Sequence, residues 1–160
     1  MSHDLADVDK STGIELTEVL AAFTRLRREN DLLVAAIARD HGLHAPDFRA
    51  VAFVRTTPDL TPRGLAEYLA LSLSATTAVI DRLVASGYVL RTPNPEDGRS
   101  VRLEVTQEGA DAVEDALEIY TAAFNISVPA DRREDVAATF IDIADALAEV
   151  AVARTASARA

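Results

Sequence analysis

The sequence contains no cysteine, which excludes disulfides, thiolate metal sites and cysteine-based peroxide sensing. Charged residues interrupt every apolar stretch well before the roughly 18 residues that a bilayer-spanning helix needs. Residues 1–10 are acidic, unlike the basic and apolar leader of a signal peptide. No nucleophile motif, phosphate-binding loop or cluster of histidine with carboxylates stands out. We therefore expect a cytoplasmic protein that is not an enzyme and carries no cofactor.

The length of 160 residues, with 49% hydrophobic and 26% charged residues, is typical of one globular domain. The net charge of −10 is unevenly distributed, because residues 60–105 contain five Arg and five acidic residues and are neutral. All of the excess negative charge lies outside this stretch. Such a division is typical of a DNA-reading middle on an acidic scaffold that repels DNA, although chance is the alternative.

The middle of the chain has the pattern of two short helices joined by a tight turn. Thr61 as N-cap and Pro62 at the first helical position begin one helix. Ser74 is predicted to be the N-cap of the next, and Gly87 to end that helix in the left-handed position after its last turn. Two short helices with such a turn are a helix-turn-helix.

Two strand-like segments follow, residues 88–91 and residues 101–105, and the second alternates apolar with polar side chains. The connection between them contains Pro, Asn and Asp-Gly, which are turn residues. The sequence therefore predicts a mainly α fold with a small two- or three-stranded β-wing, that is, a winged helix-turn-helix.

Long amphipathic helices are expected on both sides of this module. Residues 14–39 have apolar residues at three- and four-residue steps, Thr106 is expected to cap a later helix, and a last helix is expected to start near residues 127–129. One small chain cannot bury all of these apolar stripes, so a symmetric homodimer is the simplest solution. We assign residues 1–42 and 106–160 to helical dimerisation and residues 43–105 to DNA binding.

The second helix of a helix-turn-helix lies in the major groove, and its N-terminal residues contact base edges. Here those residues are Ser74, Ala75, Thr76 and Thr77. Their hydroxyls can bond donors or acceptors, and the methyl groups of Ala and Thr can contact the methyl group of thymine. They indicate base-edge contact without specifying a base.

Two arginines are candidates for contacts with DNA phosphates. Arg82 lies two turns into the second helix and Arg63 at the start of the first. For Arg82 the alternative is a surface salt bridge with Asp81 or Glu67.

The predicted wing carries one arginine near its tip. Arg99 is placed to enter a narrow, electronegative minor groove, and Asp97 is placed to orient it by a charge-assisted hydrogen bond. The alternative is a solvated Asp-Gly-Arg turn that contacts nothing.

Four segments in this order and spacing resemble the MarR family of bacterial regulators, and they are residues 60–69, residues 74–89, residues 97–99 and residues 103–109. This resemblance implies a homodimer with interlocked terminal helices, recognition helices in successive major grooves and wing tips in the minor groove. It also implies double-stranded DNA with a palindromic operator as partner, and a repressor that a ligand releases. Gly98 departs from the family's Asp-Arg-Arg wing and removes one positive charge.

The resemblance further implies a pocket for a small aromatic or anionic ligand, for which Arg39, Arg49, Arg55 and Tyr68 are candidates, with ordinary surface positions as the alternative. His41 and His44 lie close to two aspartates, but their turn context favours surface residues, and we expect no metal site. The alternative function is a helical dimerisation or partner-binding protein that keeps the winged fold without reading DNA.

Overall fold

The computed structural model describes residues 13–95 and 100–157, with side chains from residue 16 onward. These ranges contain six α-helices, one 3₁₀ helix and two strands: α1 (Gly13–Asp40), α2 (Ala45–Thr56), α3 (Pro62–Leu69), α4 (Leu73–Ala85), β1 (Val89–Pro93), β2 (Val101–Val105), α5 (Gln107–Ser127), the 3₁₀ helix (Ala130–Arg132) and α6 (Arg133–Ser157). The predicted class, mainly α with a winged helix-turn-helix, is confirmed, and its wing is two-stranded.

Local residues set most helix ends. The Thr61 side-chain oxygen accepts a hydrogen bond from the Gly64 amide at 3.2 Å, which confirms the predicted cap of α3. Gly87 has a φ of +82°, a conformation that favours glycine, directly after the C-cap of α4. The predicted start of the last helix is wrong: α5 continues to Ser127, and α6 begins only at Arg133.

The predicted N-cap of α4 is also wrong. The Ser72 side chain, not that of Ser74, accepts a hydrogen bond from the Ala75 amide at 3.3 Å. Helix α4 therefore begins at Leu73, two residues earlier than the sequence pattern indicated. The Ser74 hydroxyl lies 3.1 Å from the Ser72 hydroxyl, in the first turn of the helix.

The chain divides into two compact units, one ending at Val113 and one starting at Glu114. In the first unit, α1 to α4 and the wing bury a common apolar core. Its buried residues include Ile37, Val51, Leu65, Ile80, Leu83, Val89 and Leu103. This core holds α4 by one face and leaves its opposite face exposed.

The wing is an antiparallel pair in which Val89 lies opposite Val105 and Pro93 opposite Val101. The Leu103 amide also donates to the carbonyl oxygen of Leu60 at 2.8 Å, so the segment before α3 is bonded to β2. This backbone bond fixes the wing to the helix-turn-helix.

The start of α5 packs closely against the end of the helix-turn-helix. The Thr106 amide donates to the Tyr88 carbonyl oxygen at 3.1 Å, and the Tyr88 hydroxyl donates to the His41 carbonyl oxygen at 2.7 Å. A Cβ atom at Gly109 would lie 2.4 Å from the Tyr88 carbonyl oxygen, so only glycine fits there. Burial, and then the charge of Glu108, raises the pKa of the Tyr88 phenol above its usual value.

Several long helices expose apolar stripes. On α1 the exposed large hydrophobic residues are Leu16, Val19, Leu20, Phe23, Leu26 and Leu32. In the second unit, α6 buries no residue, and an open groove of about 290 Å³ runs beside Phe124 and Phe140. Within the described ranges no single helix is long and apolar enough to cross a membrane; only α3 and α4 taken together reach that apolar content, and they are bent by 108°.

Candidate nucleic-acid interface

Helix α4 presents two different faces. Its buried face consists of Thr76, Val79, Ile80 and Leu83, each at most 5% exposed. The exposed side chains of its first three turns are those of Leu73, Ser74, Ala75, Thr77, Ala78, Asp81 and Arg82. This outward face is the surface that a helix-turn-helix presents to the major groove.

Thr76 does not belong to that surface. Its side chain is fully buried, and its hydroxyl donates to the Ser72 carbonyl oxygen at 3.0 Å. The structure therefore corrects the expectation that Thr76 contacts a base edge. The burial of Thr76 is predictable from the helical period, because Thr76 precedes Val79 by three residues and Leu83 by seven and so shares their face.

Ser74, Ala75 and Thr77 are exposed in the first turns of α4, so their contact with base edges stays a prediction. The Thr77 hydroxyl donates to the Leu73 carbonyl oxygen at 2.8 Å, so this hydroxyl is bonded to the backbone of its own helix. Leu73 itself is 59% exposed at the first helical position. The sequence interpretation missed Leu73 because it placed this residue in the turn.

Arg82 forms a bidentate ion pair across 35 residues of sequence. Its Nε and Nη2 atoms donate to the two carboxylate oxygens of Asp47 on α2, at 3.1 Å and 2.6 Å. The Asp47 side chain is 5% exposed and that of Arg82 is 54% exposed. These hydrogen bonds, and then the charge of Asp47, raise the pKa of the Arg82 guanidinium above its usual range.

The alternative partners predicted for Arg82 are both wrong. Asp81 pairs instead with Arg91 of β1 at 2.6 Å, and Glu67 pairs with Arg63 on α3 at 3.2 Å. Arg63 and Glu67 are 82% and 70% exposed, so Arg63 stays accessible to a phosphate. Nothing in the sequence pointed to Asp47 as the partner of Arg82, because the pair depends on how α2 packs against α4.

The predicted minor-groove residue Arg99 and its partner Asp97 lie outside the described residues. The structure describes the base of the hairpin, where the backbone N–H of Asn94 donates to the Ser100 carbonyl oxygen at 3.1 Å. The Arg102 side chain is 15% exposed and pairs with Asp59. The wing is therefore tied to the body of the first unit up to the start of its tip.

The four predicted ligand residues have different surroundings. Arg39 lines a shallow groove of about 410 Å³ at the turn between α1 and α2, and the other three residues are not part of its lining. Arg49 pairs with Asp31 of α1 at 2.5 Å, Arg55 is exposed, and Tyr68 stacks on Phe53 with ring centroids 3.7 Å apart.

His41 and His44 lie in the turn before α2. Across the described ranges, no three His, Asp or Glu side chains lie close enough together to hold a metal ion.

The chain was compared with a family model, with the sequences of characterised proteins and with solved structures. The model of the MarR family matches residues 41–100, which include α2, α3, α4 and β1 and end just before β2. The multiple antibiotic resistance protein MarR of Escherichia coli (strain K12) is 33% identical over 85 residues, or 53% of this chain and 59% of that protein. The aligned stretch thus spans less than two thirds of that relative's length.

Solved structures extend the likeness beyond the matched segment. A MarR transcriptional regulator from Methanosarcina mazei Go1 superposes with a TM-score of 0.63 over 82% of this chain and 97% of that one, at 22% identity. The transcriptional regulator Tm0710 from Thermotoga maritima has a TM-score of 0.54 and 26% identity, over 81% and 94% of the two chains. The winged helix-turn-helix and the matched segment agree: residues 41–100 are similar to the MarR family, and the fold is that of the MarR-family structures compared.

Proposed function

We propose that this protein is a sequence-specific, double-stranded-DNA-binding transcriptional regulator that acts as a homodimer. The observation that carries the proposal is the exposed outer face of α4, which the core of the first unit holds by the opposite face. Ser74, Ala75 and Thr77 are the candidates for base-edge contact, and Arg63 is the candidate for a phosphate. Arg82 retains a half-exposed side chain and stays a candidate for a phosphate as well.

The charge distribution supports a single DNA-binding face. Residues 60–105 are neutral, whereas the chain as a whole has a net charge of −10. Phosphates are therefore repelled least along the helix-turn-helix and the wing. Arg99, with Asp97 orienting it, is proposed to enter the minor groove from the wing tip.

The exposed apolar stripes support the homodimer. On α1 the side chains of Val19 and Leu20 are both 56% exposed, and on α6 the Leu147 side chain is 57% exposed. A second copy of the chain would remove such stripes from water, with residues 1–42 and 106–160 as the dimerisation region. Light scattering of the purified protein should give twice the 17.1 kDa of one chain, and a stable single-chain mass at micromolar concentration would contradict the dimer.

A mobility-shift assay tests DNA binding directly. The purified protein is titrated against duplex DNA from upstream of its own gene, with a scrambled duplex of equal length and composition as control. We expect tighter binding to the upstream duplex, with a palindromic protected site that matches the two-fold symmetry of the dimer. A dimer that binds neither duplex would instead support the partner-binding alternative.

Repression and ligand control extend the same proposal. The regulator is expected to act in the cytoplasm as a repressor, and to leave its operator when a small aromatic or anionic molecule binds. The proposal is not for an enzyme, since the matched relatives are described as a resistance protein and as transcriptional regulators. Arg39, Arg49, Arg55 and Tyr68 stay the candidate ligand residues, and titration with aromatic acids during the same assay tests the ligand response without assuming a pocket.

A further inference from the structure

The exposed face of α4 carries an unusual set of groups for a helix that reads bases. Side chains that recognise purines by paired hydrogen bonds are Arg or Lys for guanine and Asn or Gln for adenine. Helix α4, which the structure describes completely, contains no Lys, Asn, Gln or Glu. Its charged residues are Asp81 and Arg82.

Both charged residues already have partners within the fold. Arg82 uses Nε and Nη2 to hold the buried Asp47, and turning this fork toward a guanine would leave that carboxylate buried without its partner. Asp81 pairs with Arg91 at 2.6 Å, which partly offsets its repulsion of DNA phosphates. Neither residue is thus free for bidentate recognition of a base.

The remaining exposed groups at the N-terminal end of α4 are mostly methyl groups. Leu73 is 59% exposed, Ala75 and Ala78 are exposed, and Thr77 has its hydroxyl bonded to the Leu73 carbonyl oxygen. The Ser74 hydroxyl is the one exposed polar side chain among these first residues without a bond to the helix backbone in the contacts described, and it neighbours the Ser72 hydroxyl. Among the bases, only thymine presents a methyl group to the major groove.

We propose that helix α4 reads its operator mainly through thymine methyl groups, with Leu73 as the principal contact and Ala75, Thr77 and Ala78 beside it. This inference rests on the proposed DNA-binding function and specifies the DNA that it recognises. Each half-site then contains thymines at the positions facing the start of α4. Guanine contributes little through its major-groove edge, because no side chain of α4 is available to bond both O6 and N7.

The test uses DNA bases that differ from thymine or guanine by a single group. Binding sites are first selected from a random duplex pool with the full chain. Each thymine of a selected half-site is then replaced by deoxyuridine, which keeps base pairing and the O4 acceptor and removes only the methyl group. Each guanine is separately replaced by 7-deazaguanine, which removes the N7 acceptor.

We expect one or more deoxyuridine replacements to weaken binding about four-fold each, the factor that corresponds to exposing one buried methyl group. Replacement of guanines by 7-deazaguanine should change affinity by less than two-fold. Deoxyuridine sites that bind as tightly as thymine sites, or guanine replacements that weaken binding more than thymine replacements, would overturn the inference while leaving DNA binding intact. Absence of any selected site would overturn the proposed function together with it.

A protein variant assigns the contact to Leu73. In Leu73→Ala the deoxyuridine replacement that matters most in the original protein should lose its effect, because the side chain that touches the methyl group is gone. Leu90→Ala is the matched control, since Leu90 is also half-exposed, at 50%, but lies on β1. The control should retain the four-fold discrimination. Equal discrimination by Leu73→Ala and the original protein would exclude Leu73 as the reader.

Discussion

Replacement of Arg82 by alanine should lower the free energy of unfolding by about 2 kcal/mol. The change removes two charge-assisted hydrogen bonds from a carboxylate, on Asp47, that is only 5% exposed. Removing one partner of a fully buried pair costs about 3–5 kcal/mol, and an exposed pair contributes about 0.2–1 kcal/mol. Because the Arg82 side chain is 54% exposed, water can replace part of the guanidinium, and the expected loss lies between these limits.

Urea unfolding followed by circular dichroism measures this loss. All proteins are compared at one concentration, since the stability of a dimer depends on concentration. Arg63→Ala is the matched control, because it breaks an Arg–Glu pair whose members are 82% and 70% exposed. That control should lose less than about 1 kcal/mol.

A double-mutant cycle tests the physical cause. Asp47→Ala in the Arg82→Ala background removes the carboxylate that the first change left without its partner. The double variant should therefore be more stable than the sum of the two single effects predicts, by at least about 1 kcal/mol. Strictly additive losses would show that the two side chains are not coupled, and would refute the reasoning.

Three further predictions concern the junction with α5 and the wing. Gly109→Ala should destabilise the protein by about 1–3 kcal/mol, because its new Cβ would meet the Tyr88 carbonyl oxygen at 2.4 Å; an unchanged urea midpoint would contradict this packing. Because the pKa of the Tyr88 phenol is raised in the folded protein, this phenol ionises at a lower pH in the unfolded chain than in the folded one. The contribution of Tyr88 to the free energy of unfolding is therefore constant below about pH 10 and falls as the pH rises further. Tyr88→Phe should reduce that alkaline loss in unfolding measured from pH 8 to 11, whereas Tyr68→Phe, which removes an exposed hydroxyl, serves as its control. Arg99→Ala should leave the mass of the dimer unchanged and flatten the slope of log affinity against log salt concentration by about one unit; an unchanged slope would show that Arg99 does not contact DNA.

Much of the fold could be predicted from short-range patterns. The caps at Thr61 and Thr106 accept hydrogen bonds from amides three residues later, and the left-handed turn at Gly87 needs only a residue without a side chain. These interactions lie within one turn of helix, so the local sequence contains everything that they require. The same holds for the apolar period that identified α1.

The candidate site could be predicted only in part. The position of α4 in a helix-turn-helix follows from the sequence, but the cap that the sequence predicted for it, Ser74, is wrong. The structure selects Ser72, and the packed core places Thr76 inside while Leu73 stays exposed. The burial of Thr76 follows from the helical period once Val79 and Leu83 are known to be buried, whereas the extent of exposure of Leu73 depends on the assembled core.

The partner of Arg82 was decided by tertiary structure alone. Arg82 has acidic residues much closer in sequence than Asp47, including its neighbour Asp81, and yet it bonds to Asp47. The packing of α2 against α4 brings the Asp47 carboxylate into reach and excludes most of the water around it, so a long-range pair replaces the local ones. The sequence by itself thus determined the helix-turn-helix, the wing and the caps at Thr61 and Thr106, whereas the pairing of Arg82 with Asp47 depends on contacts between distant segments.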